Sequence, residues 1–211
     1  MSLDFLTLGS DAGVVAKSPL AAGTAAAGAT YAVRDGWEVA TRFAEPRVEA
    51  LACRERVGWA DVSHLRKLEL QGTPEQLVAA KPDDGLWLQV TPERALLIDS
   101  AGPRESAAHV LDVTSQLGAL RIAGPLAREL FARFCALDLR PGSTPPGAFR
   151  PGSVARTPGY LLCEAPDRYL VLFGAAYGAY VWEVVSDAGL HLGGRPVGVD
   201  ALVAQEAASH A

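Results

Sequence analysis

The stretch "GWADVSHLRKLELQG", Gly58 to Gly72, has an echo later in the chain, "LDVTSQLGALRIAGP", Leu111 to Pro125. Both open on Asp-Val and a hydroxyl residue: Asp61-Val62-Ser63 and Asp112-Val113-Thr114. Both close on an alternating strand and a glycine that leads into a helix. Leu68 and Leu70 correspond to Leu120 and Ile122, Arg121 stands where Glu69 stood, and Gly124 matches Gly72. A second block recurs in the same order, Pro92 to Ile98 ("PERALLI") against Pro166 to Leu172 ("PDRYLVL"). Two matched blocks in one order imply a strand–helix–strand–strand unit used twice, each copy with a flanking helix. Two long copies do not make a solenoid. They bury their sheets or helices against each other about a pseudo-twofold axis, which makes the class α+β. The expected division is an N-terminal arm over 1–30, a first half over 31–110, and a second half with a C-terminal helix over 111–211.

Local signals fill in the units. Residues 10–30 are small and read as an extended arm. Ala32 to Phe43 reads as a hairpin around Asp35-Gly36, a favoured turn pair. A helix follows from Pro46, with Val48, Leu51 and Ala52 on its inner face and Gly58 ending it. In the first unit Leu68 and Leu70 point inward, while Lys67, Glu69 and Gln71 point away. Thr73, Pro74 and Gln76 form a capping box at a helix start. Leu86–Val90 and Arg94–Ser100 read as strands. In the second unit a longer helix carries Leu126, Leu130, Phe131, Phe134 and Leu137. Further strands are expected near "SVART" to "YLLCE" and at "RYLVLF". A last long helix buries Tyr177, Val181, Val184, Val185 and Ala188 and stops at Gly189. Asp200 can cap a short final helix.

Composition excludes several classes of function. The net charge is -5 and no Lys/Arg cluster stands out, so the basic footprint of a nucleic-acid binder is missing. No apolar run reaches roughly 18 residues, so no membrane span is expected. The start lacks a charged-then-apolar leader pattern, and a cytoplasmic protein is expected. Cys53, Cys135 and Cys163 are far apart and make no metal-ligand spacing with the scattered histidines. They read as reduced thiols, and no metal is expected.

Few residues carry a chemical signal. Asp61, Ser63 and His64 sit together, but neighbours on a strand point to opposite faces. The echo keeps the aspartate and the hydroxyl and replaces His64 with Ser115. Asp61 and Ser63 therefore read as groups that bond local backbone amides. Asp83-Asp84 is a carboxylate pair of the kind that can do acid–base work when its environment splits the two pKa values. Its flanks, Pro82 and Gly85, are turn residues. Gly147, Gly152, Gly193 and Gly194 follow no phosphate-loop spacing. Arg156 to Tyr160, "RTPGY", puts an arginine and a tyrosine beside a turn.

"SPL", "GWEV" and "RVEALACRERVGWADVSHLRKLELQG" together resemble the opening of aminomethyltransferases, the T-protein of the glycine cleavage system. "LWLQVTPERALLI", "CALDLRP", "GSVART" and "YLVLFGAAYGAYVWEVVSDAG" are similar to the gamma subunit of heterotetrameric sarcosine oxidase, a smaller relative of the T-protein. The resemblance runs over roughly Ser18 to Leu202. It implies a folate-binding fold of two pseudo-symmetric sub-domains. In T-proteins tetrahydrofolate lies between them and accepts a one-carbon unit.

The resemblance also implies where the site differs. The family's catalytic aspartate lies in an Asn-rich segment that is "KPDDGLWLQV" here, so no catalytic residue is carried over. The family's Arg-Thr-Gly-Tyr-Thr-Gly-Glu motif is matched by Arg156, Thr157, Gly159 and Tyr160, with Pro158 inserted and Glu164 in another register. Val199 falls at the position of a folate-contacting arginine. A residual folate-like pocket would use Arg156, Tyr160 and Asp84. The implied function is an accessory, non-catalytic gamma-like subunit of a sarcosine-oxidase-type complex in one-carbon metabolism. FAD, FMN and NAD would then sit on the partner subunits, and tetrahydrofolate would be the one cofactor possible on this chain. Two other readings stand beside it: a stand-alone tetrahydrofolate-dependent aminomethyl- or methyltransferase, and a binding or scaffold module of the same fold.

Overall fold

The structure is a computed structural model that describes residues 13, 15–104 and 109–203. The first unit contains β4 (Gly58–Asp61), β5 (Lys67–Gln71), α3 (Pro74–Ala80), β6 (Leu86–Thr91) and β7 (Arg94–Ile98). The second contains β8 (His109–Asp112), β9 (Leu117–Ala123), α4 (Ala127–Ala132), β10 (Phe149–Val154), β11 (Thr157–Ala165) and β12 (Arg168–Gly174). Ahead of them come β1 (Ala16–Lys17), α1 (Ala21–Ala26), β2 (Thr30–Arg34), β3 (Trp37–Arg42) and α2 (Pro46–Glu55). After them come α5 (Gly178–His191) and β13 (Arg195–Pro196), and the chain is helical again over 199–203.

The two units exchange their first strands. β4 leaves the first unit and pairs with β9 in the six-stranded sheet β10-β11-β12-β9-β4-β13. β8 pairs with β5 in the four-stranded sheet β6-β7-β5-β8. The registers match: Asp61 lies opposite Leu120 as Asp112 lies opposite Leu68. The hydrogen bonds match too. Asp61 Oδ1 accepts the Ser63 amide at 2.9 Å, and Asp112 Oδ1 accepts the Thr114 amide at 2.9 Å. Ser63 Oγ accepts the Ala119 amide at 3.0 Å, and Thr114 Oγ1 accepts the Lys67 amide at 2.9 Å. Gly72 and Gly124 each donate to the carbonyl that precedes the next arginine, Glu93 O and Asp167 O. The expected boundary between residues 110 and 111 runs through β8.

The layers follow from alternation along the strands. α4 and α5 cover one face of the larger sheet over Trp59, Leu120, Ile122, Tyr169, Val171 and Phe173. Its other face meets the smaller sheet over Val62, Leu96, Ile98, Ala119, Leu170 and Leu172. α3 closes the far side over Leu68, Leu70, Leu77 and Leu97. The capping box of α3 is formed, with Gln76 N donating to Thr73 Oγ1 at 3.3 Å and Thr73 N donating to Gln76 Oε1 at 2.8 Å. Asp35 and Gly36 take positive φ at the β2–β3 turn, as the hairpin reading requires.

Other expectations are corrected. The described part of 10–30 is a strand and a helix, with α1 packed on α5. α2 buries Glu49, Ala52 and Cys53 and turns Val48 and Leu51 outward. The cause is the Glu49 carboxylate, which accepts the amides of Phe43, Ala44 and Gly198 and so fixes the helix rotation. Gly58 begins β4 opposite Ala123 instead of ending α2, and an added Cβ there would lie 2.6 Å from Cys53 Sγ, so close packing is what requires this glycine. α4 is short, because the chain after it leaves to form a β-bridge between Cys135 and Val154. α5 runs past Gly189 to His191. An added Cβ at Gly189 would lie 2.3 Å from the Trp59 ring, so this glycine lets the sheet approach the helix. Trp182 and not Tyr177 joins the buried face of α5. The Asp200 carboxylate is engaged by Arg34 Nη2 at 2.5 Å.

Lys67 is the largest departure from the strand reading. Expected to face outward, it is fully buried, because the second sheet covers that side of β5. Its Nζ donates to Ser63 O and Leu65 O, both at 2.8 Å. Burial pushes its pKa from 10.5 down to about 8, against the pull of Asp61 and Asp112. Below pH 8 the amine is protonated in both folded and unfolded chains, so the burial cost is fully felt. Between pH 8 and 10.5 the unfolded chain holds the proton that the folded chain has released, and stability rises with pH. Urea denaturation of wild type minus Lys67→Met checks this. The difference should grow by roughly 3 kcal/mol from pH 8 to 10.5 in favour of the wild type.

Candidate functional site

Residues of both sheets line a cavity of about 690 Å³. Leu86, Trp87 and Leu88 of β6 form one wall. Phe149, Leu162 and the charged residues Arg121, Glu164 and Arg168 form the other, and the loop Lys81–Gly85 closes the rim. Alternation explains the charged wall. Arg121 sits between Leu120 and Ile122 on β9, so it points toward the smaller sheet, and Glu164 and Arg168 share that face with Leu162 and Leu170. Arg121 Nη2 lies 2.8 Å from Glu164 Oε1, and Arg168 Nε lies 3.3 Å from Glu164 Oε2. The Glu164 side chain is only 8% exposed and sits between these two guanidinium groups.

The first unit carries the counterpart on the facing sheet. Glu69 occupies the place of Arg121, and Arg94 the place of Arg168. Arg94 Nη2 lies 2.9 Å from Glu69 Oε2, and the same nitrogen donates to Tyr160 Oη at 3.2 Å. Tyr160 stacks on Phe149, ring centroids 5.6 Å apart and planes 18° from parallel. It thus ties the first unit's ion pair to the rim of the cavity.

The three residues expected to line a folate-like pocket occupy different places. Tyr160 is half-buried beside the cavity through Phe149. Arg156 is exposed at the β10–β11 turn with a φ of 59°. Asp84 is exposed on the loop before β6, where Asp83 and Gly85 but not Asp84 border the cavity. The Ser100 hydroxyl, donating at 2.9 Å, and the Ala101 amide, donating at 3.3 Å, hold the Asp84 carboxyl below its usual range. Asp83 pairs with Arg104. Val199 is buried in the inter-sheet core. His64 lies apart from the cavity, in a surface depression with Arg66, Asp112, Ser115 and Trp37. Burial lowers its pKa, with the Asp61 carboxylate opposing.

The Arg121–Glu164–Arg168 cluster escaped the sequence reading. The available signal was the repeat itself, which aligns Arg94 with Arg168 and opposes Glu69 with Arg121. Reading Glu69 and Arg121 as outward-facing hid that both sheets turn that face inward. Among the described residues no group of three His, Cys, Asp or Glu could hold a metal ion. No described helix is long and apolar enough to cross a membrane.

No family model matches the chain. An aminomethyltransferase of Synechococcus elongatus is 28% identical over 82% of this chain and 58% of its own length. One from Picosynechococcus sp. is 41% identical over 64 residues, 30% of this chain and 17% of the relative. The chain therefore spans little more than half the length of that Synechococcus elongatus relative. Among solved structures, aminomethyltransferase T of the glycine cleavage system from Bartonella henselae superposes with a TM-score of 0.66 at 17% identity, covering 89% of this chain and 60% of that one. A chain of heterotetrameric sarcosine oxidase from Corynebacterium sp., in complex with pyrrole 2-carboxylate, superposes with a TM-score of 0.61 at 19% identity. It covers 83% of this chain and 95% of that chain. The protein has the mixed α+β fold of the aminomethyltransferases, shared with a sarcosine oxidase chain.

If the ion cluster holds the charged wall together, removing its centre is costly. Glu164→Ala removes the buried carboxylate that both guanidinium groups meet, and should lower unfolding free energy in urea by about 3 kcal/mol. A change below about 0.5 kcal/mol, the range of ordinary surface substitutions, would mean the cluster is not structural.

Proposed function

We propose that this chain is an accessory, non-catalytic subunit of a sarcosine-oxidase-type assembly, gamma-like in role. The observation that carries this reading is the asymmetry of coverage. The superposition takes in 95% of the sarcosine oxidase chain but 60% of the aminomethyltransferase T chain, so nearly the whole fold of the former has a counterpart in this chain. The site is in keeping with it. Glu164, the carboxylate that faces the cavity from β11, is neutralised by two arginines, and Asp84 is committed to a turn. Flavin, NAD and the oxidative demethylation of the amine would belong to partner chains, and the assembly would be cytoplasmic. Co-expression with candidate partner chains tests this. The chain should elute with them at fixed stoichiometry on size exclusion, and elution alone in every combination contradicts the proposal.

The cavity supports a second reading, a chain that binds tetrahydrofolate and acts alone or as a binding module. About 690 Å³ of space borders the stacked Phe149–Tyr160 pair, a surface suited to a flat heterocycle. Calorimetry with tetrahydrofolate separates the readings. The accessory-subunit reading expects no heat at millimolar ligand. Saturable binding that is weakened about tenfold by Tyr160→Ala favours the second.

A further inference from the structure

Trp59 on β4 stands where the second copy of the unit has Val110 on β8. The shared fold therefore does not require an indole at this position. The Trp59 side chain is fully buried, and its benzo edge meets α5 at Gly189, where an added Cβ would lie 2.3 Å from Cζ3. Nε1 is on the other side of the ring, and this N–H has no hydrogen-bond partner among the described residues. An indole N–H can only donate, and a buried donor left unpaired loses its hydration without return. Ser186 on α5 is in the same condition. A serine inside a helix can return its hydroxyl to the carbonyl one turn back. Ser186 Oγ is buried and makes no such bond.

Both residues line one cavity of about 660 Å³. It lies on the helix face of the larger sheet, among α1, α5 and β13. The cavity bordered by Arg121 and Glu164 is on the opposite face. Its walls are aromatic. Phe43 and Trp182 stack with ring centroids 6.2 Å apart and planes 21° from parallel. Both are held in place. Glu49 accepts the Phe43 amide, and Trp182 is seated on Gly23 of α1, where an added Cβ would lie 2.2 Å from its Cδ1. Ala26 and Ala27 are exposed on the same helix and leave the mouth open. Glu183, Asp187 and Arg195 make the polar rim, two carboxylates against one guanidinium.

We propose that this cavity binds a flat, uncharged heteroaromatic molecule whose ring nitrogen or carbonyl oxygen accepts the Trp59 indole N–H. Each part of that description answers a feature of the wall. Three aromatic side chains favour a flat aromatic ligand. The unpaired indole donor calls for an acceptor. The excess of carboxylate at the rim disfavours an anion. The site is independent of the accessory-subunit reading and of the cavity between the sheets.

Quinoline and naphthalene test it, since they share two fused rings and differ in one acceptor nitrogen. Equilibrium dialysis of the full chain near neutral pH should show saturable binding of quinoline at millimolar concentration or below. Trp59→Phe keeps an aromatic ring and removes the donor. It should weaken quinoline by about tenfold relative to naphthalene, the loss of one buried hydrogen bond. In the wild type, quinoline should also move one of the four indole N–H resonances, the one that Trp59→Phe removes. Ala26→Trp, at an exposed position on the mouth, guards against a packing defect in the first variant and should weaken both ligands by about tenfold. Tyr160→Ala, in the other cavity, should leave both unchanged. Absence of quinoline binding, an equal loss of both ligands in Trp59→Phe, or full binding by Ala26→Trp overturns the inference. So does loss of binding in Tyr160→Ala, which would place the ligand between the sheets. N-methylquinolinium carries the same rings with the nitrogen blocked and charged. Tighter binding of that cation than of quinoline would make the site a cation–π cage and overturn the inference as stated.

Discussion

The fold depends on two hydroxyl groups placed where the units exchange strands. Ser63 ends the first unit's departing strand and accepts the amide of Ala119 in the second unit. Thr114 does the same for Lys67 in the first. Each hydroxyl is buried, and each is preceded by an aspartate that accepts its own amide. The aspartate makes the turn, the turn aims the hydroxyl, and the hydroxyl bonds an amide in the N-terminal half of the other unit's central strand. Neither unit can complete its sheet alone, since each lends one strand and borrows one.

This exchange fixes what the interior can hold. Because the sheets meet face to face, residues on what would be a solvent face of each central strand end up between them. At the middle that face is apolar: Leu96, Ile98, Ala119 and Leu172. Toward the end it is charged, with Arg121, Glu164 and Arg168 on one sheet and Glu69 and Arg94 on the other. Buried charge of this kind persists only when paired. The cavity beside it is walled by groups already committed to one another, which suits a scaffold. Phe149, backed by Tyr160, is the part of that wall best shaped for a flat ligand.

Much of this was legible in the residues. The capping box and the Asp35-Gly36 turn formed as read. The resemblance to aminomethyltransferases and to a sarcosine oxidase chain matches the fold. What was not legible has a common physical cause. Alternation along Lys67–Gln71 gives two faces but does not say that both will be covered, so Lys67 and Glu69 read as solvent residues. The rotation of α2 follows from Glu49 and its three backbone donors, one of them at Gly198, far away in sequence. The apolar stripe Val48–Leu51 gave no hint of that. Gly58 and Gly189 looked like helix stops because a glycine needed for close approach has the same letter as one needed for a turn. For the candidate pocket, proximity in motif did not become proximity in space. Arg156 and Asp84 lie on separate exposed turns, and the charged cluster came from positions compared only across the repeat.

The central claim is that the exchanged strands make the two units one cooperative structure. Native-state hydrogen exchange as a function of denaturant tests it most directly. The amides of Leu70 in β5 and Leu120 in β9 should open with the same free energy and the same denaturant dependence, and Ser63→Ala should lower both together. If β5 and its neighbours open well before β9, or if Ser63→Ala lowers only one of them, the units are stable separately and the account is wrong.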